Sequence, residues 1–433
     1  MSTAAVPRTN WAGNIAYGAA DFESPASIRD LQTVVARARQ VRVLATGHSF
    51  NDMADTDGVQ VSLAGLPPEI EIDSAAGQVR VAAGLSYAQL AGYLDDHGFA
   101  LRNLASLPHI SVAGACATGT HGSGLGNQNL AASVRAMEVV TADGDVVEFR
   151  RGDDAFPGTV VHLGALGVIS RVVLEVVPSF EASQRVYENL PLDVLDDYYD
   201  AIMAAGYSVS LFTDWREPRL TQAWFKQRLP ESGAGPGASA DNGPPPVASE
   251  PWFTATPAQA DCNPVPGLTG ENCTEQLGVP GPWYQRLPHF RPEFTPSAGD
   301  ELQSEYLVPA GHAVEAIHAL RQIAATMTPV LLVCEFRRVA ADDLWLSACY
   351  RQDSAAFHFT WIRDTGAVLP VVTQLERQLA PLAARPHWGK VFTTSAEELH
   401  TLFERLPDFV DLARHYDPAG KFRNAYTARY LGR

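Results

Sequence analysis

A glycine-rich run at residues 114–124 is the first candidate for ligand chemistry. Its sequence, Gly-Ala-Cys-Ala-Thr-Gly-Thr-His-Gly-Ser-Gly, gathers small residues and hydroxyl groups in a short span. Glycines let backbone N–H groups approach a phosphate closely, and Ser or Thr hydroxyls add donors. The run is not a dinucleotide fingerprint, because Gly122, Gly124 and Gly126 fall one residue short of GxGxxG, and it contains no GKS or GKT. A tight turn without a ligand stays the alternative interpretation.

A second candidate is the loop of residues 46–51, Thr-Gly-His-Ser-Phe-Asn. It follows a strand-like run, Val41-Arg42-Val43-Leu44, and loops at strand ends often carry ligand-binding residues. The single histidine, His48, is a weak signal by itself, because a lone histidine is more often a surface or hydrogen-bonded residue than a reactive one.

Two strand-like segments carry polar residues at alternating positions. Glu335 and Arg337 end an apolar run and, at a spacing of two, project from the same face of a strand. In residues 357–361, His358 and Thr360 share one face and three aromatic residues share the other. The pattern favours a sheet whose polar face lines a wet cavity. A solvated outer face with a surface ion pair is the open alternative.

The fourth candidate is His387-Trp388-Gly389-Lys390, which follows a proline. Its side chains and backbone could converge on a planar ligand, although four residues make a weak pattern. No metal-binding cluster is present, because Cys262 and Cys273 lie eleven apart without a close Cys or His pair. A Ser-His-Asp hydrolase is excluded for want of a Gly-x-Ser-x-Gly elbow.

Regular elements must position these residues. Ser24 and Pro25 predict an N-cap and first helical position, followed by an apolar stripe. Ser86 and Gln89 predict a capping box that opens a helix ending at Gly98. Strand-like and helix-like segments alternate after that, so the first ~180 residues are expected to form one α+β unit.

Length and composition set the broad organisation. The chain has 433 residues, which predicts about two or three domains. Nine of the seventeen residues at 230–246 are Pro or Gly, so this segment is expected to be a loop or flexible insertion. Because aromatic-rich sequence follows, the insertion is expected to interrupt a folded domain.

Charge and cysteine content exclude several classes of partner. Thirty-two basic and forty-nine acidic residues leave a net charge of −17, the wrong sign for nucleic acid or an anionic membrane surface. Five scattered cysteines do not form a disulfide framework, and residues 1–20 hold no sustained apolar stretch. We therefore expect a cytoplasmic protein without a membrane span.

Taken together, these motifs resemble the vanillyl-alcohol-oxidase-type flavoproteins, and within them the aldonolactone oxidoreductases and the alditol (xylitol or sorbitol) oxidases. The resemblance extends over nearly the whole chain, at residues 10–14, 46–51, 106–114, 118–124, 163–168, 387–390 and 417–422. Alditol oxidases are most similar, because residues 273–276, 281–283 and 302–306 also match.

The resemblance implies an α+β fold with two domains. A PCMH-like FAD-binding domain is expected at residues 1–178 plus 391–433, and an α+β substrate cap at residues 179–390, in which residues 230–265 form the flexible insertion. FAD is the implied cofactor, covalently bonded to His48 through the flavin 8α-methyl carbon. The other implied cofactor contacts are Thr46, Gly47, Ser49, Phe50, Asn51, Ser106, Ser111, Gly114, Thr118, Gly119, His121, Gly122, Ile169 and His387.

The resemblance also implies the substrate and the reaction. The polyol contacts would be Ser106, Glu335, Arg337, Thr360 and Lys390, of which Glu335, Arg337 and Lys390 would be catalytic. A primary alcohol of xylitol, sorbitol or glycerol would lose hydride to flavin N5, and dioxygen would be reduced to hydrogen peroxide. Because lysine can accept a proton when neutral and arginine cannot, Lys390 is the candidate for proton transfer.

Two other functions stay open at this point. An aldonolactone oxidase or dehydrogenase would carry the same Glu-Arg pair and His-Trp-Gly-Lys run, and a non-catalytic flavin or sugar binder would need no proton-transfer lysine. A monomer is expected.

Overall fold

The computed structural model describes residues 8–230 and 253–432. Strands and helices mix throughout these residues, which confirms the predicted α+β class. The strands of the first part are β1 (Asp21–Glu23), β2 (Val41–Val43), β3 (Val59–Val61), β4 (Ile70–Asp73), β5 (Gln78–Ala82), β6 (Phe99–Ala100), β7 (Val134–Val140), β8 (Val146–Arg150), β9 (Val168–Glu175) and β10 (Val177–Pro178). They form a parallel sheet in the order β1-β3-β2, an antiparallel sheet in the order β4-β5-β9-β7-β8, and a short β10-β6 pair.

A large antiparallel sheet follows in the chain. Its strands within the described residues are β11 (Glu181–Pro191), β12 (Ser208–Thr213), β13 (Arg219–Arg228), β14 (Thr256–Pro257), β15 (Gly281–Pro282), β16 (Glu301–Pro309), β17 (Leu331–Val339), β18 (Ser354–Ile362) and β19 (Arg385–Pro386). The order is β14-β11-β13-β12-β17-β18-β16-β19, and β15 also pairs with β11. The polar strands β17 and β18 are therefore neighbours at the centre of this sheet.

Helices cover one face of each large sheet. Their bounds are α1 (Ile28–Arg37), α2 (Tyr87–Asp96), α3 (Val112–Ala117), α4 (Phe156–Thr159), α5 (Val194–Met203), α6 (Ala313–Gln322), α7 (Ala324–Met327), α8 (Thr365–Leu379), α9 (Ala396–Leu402), α10 (Leu406–Tyr416) and α11 (Ala425–Leu431). Apolar residues of α1–α3 and of α9–α11 join one buried cluster with the five-stranded sheet. Those of α5, α6 and α8 join a second cluster with the nine-stranded sheet. The division into residues 1–178 plus 391–433 and 179–390 stays a prediction.

The helix starts show what local sequence can and cannot determine. The Ser86–Gln89 capping box of α2 is confirmed, with both reciprocal contacts present, and the helix ends just before Gly98. The predicted N-cap of α1 is wrong: Ser27, not Ser24, caps the helix by accepting a hydrogen bond from Asp30 N at 3.1 Å. Asp30 lies three residues after Ser27, and Ser27 Oγ donates to Asp30 Oδ2 at 2.7 Å, so Ser27 has a local acidic partner that Ser24 lacks.

Most of the predicted insertion lies outside the described residues, which leave out 231–252. Residues 253–265, however, differ from the expectation of a flexible segment. Strand β14 pairs with β11, and Ala255 and Val265 are buried. This end of the segment is therefore part of the sheet and its packing. Among the described residues, none of the helices combines the length and apolar character needed to cross a membrane.

Candidate functional site

A cavity of about 300 Å³ lies where the loops of the first part face the large sheet. Residues 46–49, the N-terminal half of the glycine-rich run, strands β16, β17 and β18, and the 387–390 segment all contribute to its wall. All four groups of residues singled out from the sequence therefore meet around one space.

Strands β17 and β18 present alternate residues to this cavity, as their spacing predicts. Glu335 and Arg337 of β17, and His358 and Thr360 of β18, line the wall. Glu335 lies opposite His358 in the register of the two strands. The intervening aromatic residues point away from the cavity and pack in the second apolar cluster. The polar face is thus buried in a cavity and is not a solvated surface.

The charged groups on this face form a buried network. Arg337 Nη2 donates to Glu305 Oε1 of β16, Arg337 Nε lies 3.5 Å from Glu335 Oε2, and Nη1 donates to Ser106 Oγ at 3.3 Å. The ion pair that the sequence left as an alternative does exist, but both partners are only about 5% exposed. Among the residues that the structure describes, Arg337 Nε itself has no partner of hydrogen-bond geometry.

The network keeps its carboxylates ionised. Burial alone would raise the pKa of Glu335, but the positive charge of Arg337 and the hydrogen bond from His289 lower the pKa below its usual range. Burial opposes ionisation of Glu305 as well, while His121 and Arg337 hold the pKa of that carboxyl well below normal. Two carboxylates and one guanidinium therefore face the cavity in charged form.

Lys390 also lines the cavity. Its ammonium donates to Gln303 Oε1, which also accepts from His358 Nε2 at 3.1 Å. Lys390 Nζ lies 5.0 Å from the ring centre of Phe50. Burial lowers the pKa of Lys390 to about 8, although Glu305 opposes this shift, so the neutral amine is accessible near physiological pH. A lysine in this state can both donate and accept a proton.

His48 lines the cavity together with Thr46, Gly47 and Ser49. The imidazole stacks on Trp11, with ring centres 5.3 Å apart and an interplanar angle of 18°. Within the described residues, neither of its buried ring nitrogens has a partner of hydrogen-bond geometry, and the nearby Thr46 backbone only partly offsets the effect of burial on its pKa. Burial lowers the pKa of His48 to about 4, so the ring is neutral and nucleophilic. A buried polar group without partners is unusual in a protein and points to an interaction with a bound group.

The glycine-rich run reaches the cavity through Gly114, Thr118 and His121, and Ser111, just before the run, also lines it. Ser111 Oγ caps α3 by accepting from Gly114 N at 3.2 Å, and Thr118 Oγ1 donates to Gly114 O at 3.0 Å. The Thr118 hydroxyl hydrogen is therefore used within the chain, whereas the sequence suggested a free donor. The backbone of this short helix forms the wall.

Four of the described residues predicted to contact the cofactor do not line the cavity: Phe50, Asn51, Gly119 and Gly122. Phe50 N donates to Gly389 O at 2.8 Å, and the Asn51 amide donates to two carbonyls of the 388–390 segment, so both hold the wall together from behind. Gly119 adopts a φ of 67°, and a Cβ at Gly122 would lie 2.3 Å from Leu104 O. These four residues shape the wall and are not part of its surface.

The remaining predicted residues line the cavity. Ile169 and Thr360 do so as buried residues of β9 and β18. His387 accepts a hydrogen bond from Gly389 N through Nδ1 at 3.1 Å, and burial lowers its pKa to about 3. The neutral His387 ring therefore carries its hydrogen on Nε2. The carbonyl of Ser106 accepts hydrogen bonds from His289 N at 3.0 Å and Phe290 N at 3.2 Å, which fixes this residue beside Arg337.

Several polar residues of the wall were missed from the sequence. Gln303 and Glu305 of β16 lie two apart, like Glu335 and Arg337, and the same spacing signal could have identified them. His289 lies in a loop and contacts Glu335, and Lys226 of β13 contacts His289. Neither belongs to a local pattern, because their contacts join segments more than forty residues apart.

Comparisons with known proteins agree with this arrangement. The FAD binding domain family matches residues 22–150, and the D-arabinono-1,4-lactone oxidase family matches residues 300–430. An alditol oxidase from a Streptomyces species is 51% identical over 98% of this chain and 98% of its own length. An L-gulono-1,4-lactone dehydrogenase from Mycobacterium tuberculosis is 29% identical over 98% of this chain and 99% of its own length.

The fold has counterparts among solved structures. A cholesterol oxidase from B. sterolicum superposes with a TM-score of 0.77 over 98% of this chain and 96% of its own, at 14% identity. A solvent-stable cholesterol oxidase gives a TM-score of 0.78 at the same identity, over 99% of this chain and 97% of its own. At this identity the likeness concerns the fold alone.

Proposed function

Since this chain belongs to the alditol oxidase family, we infer that it catalyses the FAD-dependent oxidation of an alditol at a terminal primary alcohol, with dioxygen as the electron acceptor. The observation that carries this inference is the buried polar face of β16–β18, which meets Lys390 and the His48 loop around one cavity. A polyol is matched by such a wall, because each of its hydroxyls both donates and accepts hydrogen bonds.

We propose that FAD is covalently attached through His48. The two unpaired ring nitrogens and the neutral state of the imidazole support this attachment. Thr46, Gly47 and Ser49 would hold the flavin end, and the backbone around Ser111 and Gly114 would face the pyrophosphate. When bound, FAD supplies the hydride acceptor and passes the electrons to dioxygen, which yields hydrogen peroxide. Ile169 near the adenine and His387 near the ring system complete the proposed set.

The side chains of the cavity would divide the chemistry between them. Lys390, in its neutral form, accepts the hydroxyl proton from the terminal alcohol, and Arg337 stabilises the developing negative charge on that oxygen. Glu335, Ser106 and Thr360 bind the remaining hydroxyls and hold the reacting carbon in place.

Lactone oxidation is the second candidate, and it is less favoured because the lactone-oxidising relatives are more distant than the alditol oxidase. One experiment separates the two functions. Purified holoenzyme is mixed in air with xylitol, sorbitol, glycerol or galactono-lactone, and flavin bleaching and peroxide are measured together. We expect bleaching and peroxide with the polyols. Bleaching by the lactone alone would overturn the alditol function, and bleaching by none would indicate a non-catalytic binder.

We further propose a monomer that works in the cytoplasm and has the two-domain division given above. All five cysteines lie in the described parts of the chain and are free thiols, which supports a reducing compartment. Size-exclusion chromatography with light scattering tests the oligomeric state, and a dimer mass would contradict it.

A further inference from the structure

A buried lysine, Lys226, lies behind His289, which lines the cavity beside Glu335; neither belongs to the proposed set of substrate contacts. Lys226 of β13 is 1% exposed, and its Nζ lies 2.9 Å from His289 Nδ1. On the other side of the ring, His289 Nε2 lies 2.8 Å from Glu335 Oε1. The three side chains form a continuous chain of contacts that ends at the cavity wall.

The surroundings of Lys226 determine which way these hydrogen bonds run. Its amine contacts three acceptors, the carbonyl oxygens of Leu287 and Pro288 and the Nδ1 atom of His289. An ammonium has three hydrogens and no lone pair, so it satisfies all three acceptors. Burial acts the other way and lowers the pKa of Lys226 to about 7, so the ammonium predominates below that pH.

The state of His289 follows from these contacts. Burial lowers the pKa of His289 to about 4, so the ring is neutral and carries one hydrogen. Because Nδ1 accepts from Lys226, the hydrogen lies on Nε2 and is donated to Glu335. Ser210 Oγ lies 3.4 Å from His289 Nε2, farther than the 2.8 Å to Glu335 Oε1, so the carboxylate is the main acceptor. The opposite tautomer, with its hydrogen on Nδ1, would place the Nε2 lone pair against the Glu335 carboxylate, which is repulsive.

The loop that carries His289 is also held in place. His289 N donates to Ser106 O, and Thr274 N donates to His289 O at 2.9 Å. The ring packs between aromatic residues, with its centre 5.1 Å from that of Trp224 and 5.7 Å from that of Phe212. This packing leaves the ring little rotational freedom, so its hydrogen stays directed at Glu335.

We propose that Lys226 and His289 are positioning residues that hold Glu335 as an oriented, ionised hydrogen-bond acceptor for a hydroxyl of the bound polyol. His289 occupies one carboxylate oxygen, Oε1, and Arg337 orients the other, Oε2. Lys226 acts only through His289, by fixing its tautomer. The inference rests on the proposed function, because it assumes that Glu335 binds the substrate.

The test is a double-mutant cycle on the holoenzyme. The holoenzyme is mixed anaerobically with xylitol at about pH 6.5, where Lys226 is mostly protonated. The rate of flavin reduction is followed as a function of xylitol concentration, which gives the Kd and the limiting rate separately. We expect Lys226→Met to raise the Kd about tenfold, as for loss of one charged hydrogen bond, with the limiting rate changed less than about threefold. In a Glu335→Gln background the same substitution should change the Kd less than about twofold. An equal rise in both backgrounds would overturn the proposal.

Lys421 provides the matched control. Its Nζ also donates to two backbone carbonyls, of Val35 and Ala36, but Lys421 does not line the cavity. Lys421→Met should leave the Kd for xylitol unchanged, and a tenfold rise there would count against a specific role of Lys226. If the wild-type flavin is not reduced by xylitol at all, the proposed function fails, whereas a normal wild type with an unaffected Lys226→Met variant refutes only the present inference.

A second pair of variants covers the case in which Lys226→Met does not fold or loses its flavin. His289→Gln keeps an N–H group that can reach Glu335, whereas His289→Leu removes it. We expect His289→Gln to stay within about threefold of the wild-type Kd and His289→Leu to exceed it about tenfold. The same Kd for both variants would overturn the proposal.

Discussion

Glu305 Oε1 lies 3.2 Å from Nε2 of His121, and the same oxygen accepts a hydrogen bond from Arg337. One buried carboxylate thus joins the glycine-rich run to the polar face of the large sheet. Because its charge also acts on Lys390, Glu305 connects three residues that the sequence suggested only separately.

The first prediction concerns the flavin attachment. If His48 carries the cofactor, acid-denatured holoenzyme stays yellow, and His48→Ala releases free flavin on denaturation. The physical reason is that a covalent bond survives unfolding, whereas binding by loops does not. His97→Ala, at the exposed end of α2, is the control and should keep its bound flavin. A colourless precipitate from the wild-type holoenzyme would refute covalent attachment.

The second prediction concerns proton transfer. Lys390→Met should lower the limiting rate of anaerobic flavin reduction by xylitol about a hundredfold or more, the usual effect of losing a general base. Stopped-flow absorbance measures this rate without interference from oxygen. Lys421→Met should behave like wild type. An unchanged rate in Lys390→Met would remove Lys390 from the proton-transfer step.

The third prediction is the pH dependence of the same rate. Burial lowers the pKa of Lys390 to about 8, and only the neutral amine accepts a proton. The rate should therefore rise with pH through about 8 and level off above it. Measurements at saturating xylitol between about pH 6 and about pH 10 test this. A rate that falls over this range would mean that the protonated lysine is the active form.

The fourth prediction separates the charge of Glu305 from its packing. The negative charge of Glu305 raises the pKa of Lys390, so Glu305→Gln should move the midpoint of the pH profile to lower pH. The control is Glu71→Gln, on exposed strand β4. A midpoint that moves upward, or that moves equally in both variants, would contradict the coupling.

The fifth prediction concerns the stability of the cavity wall. A Cβ at Gly122 would lie 2.3 Å from Leu104 O, so Gly122→Ala should lower the free energy of unfolding by about 1–3 kcal/mol. At Gly126 a Cβ would meet nothing within 4 Å, and Gly126→Ala should be close to neutral. Thermal unfolding of the two variants provides the comparison. Equal melting temperatures would mean that the 103–104 segment moves aside without cost.

Local patterns predicted much of the fold and of the cavity. The alternation in residues 357–361 placed His358 and Thr360 on the polar face correctly, and the Ser86–Gln89 box located a helix start. The family resemblance and the vanillyl-alcohol-oxidase-type fold class are confirmed by the alditol oxidase relative and by the structural likeness to cholesterol oxidase.

What local patterns could not predict depends on distant contacts. Lys226 and His289 meet across sixty-three residues, and neither lies in a periodic segment that marks it as buried. The predicted cofactor contacts that do not line the cavity were also beyond local patterns, because a motif identifies a segment of the wall but not which of its side chains face the cavity.

The hydrogen bonds of Asn51 have a consequence for how the protein is made. Its side-chain amide donates to the carbonyls of Trp388 at 2.8 Å and Lys390 at 2.9 Å, partners 337 and 339 residues away. The loop that carries His48 is therefore held by a segment that is synthesised more than three hundred residues later. An N-terminal fragment folded during translation lacks this support, since domains fold as their residues emerge. If His48 carries the flavin, we therefore expect loading to follow the joining of these two segments.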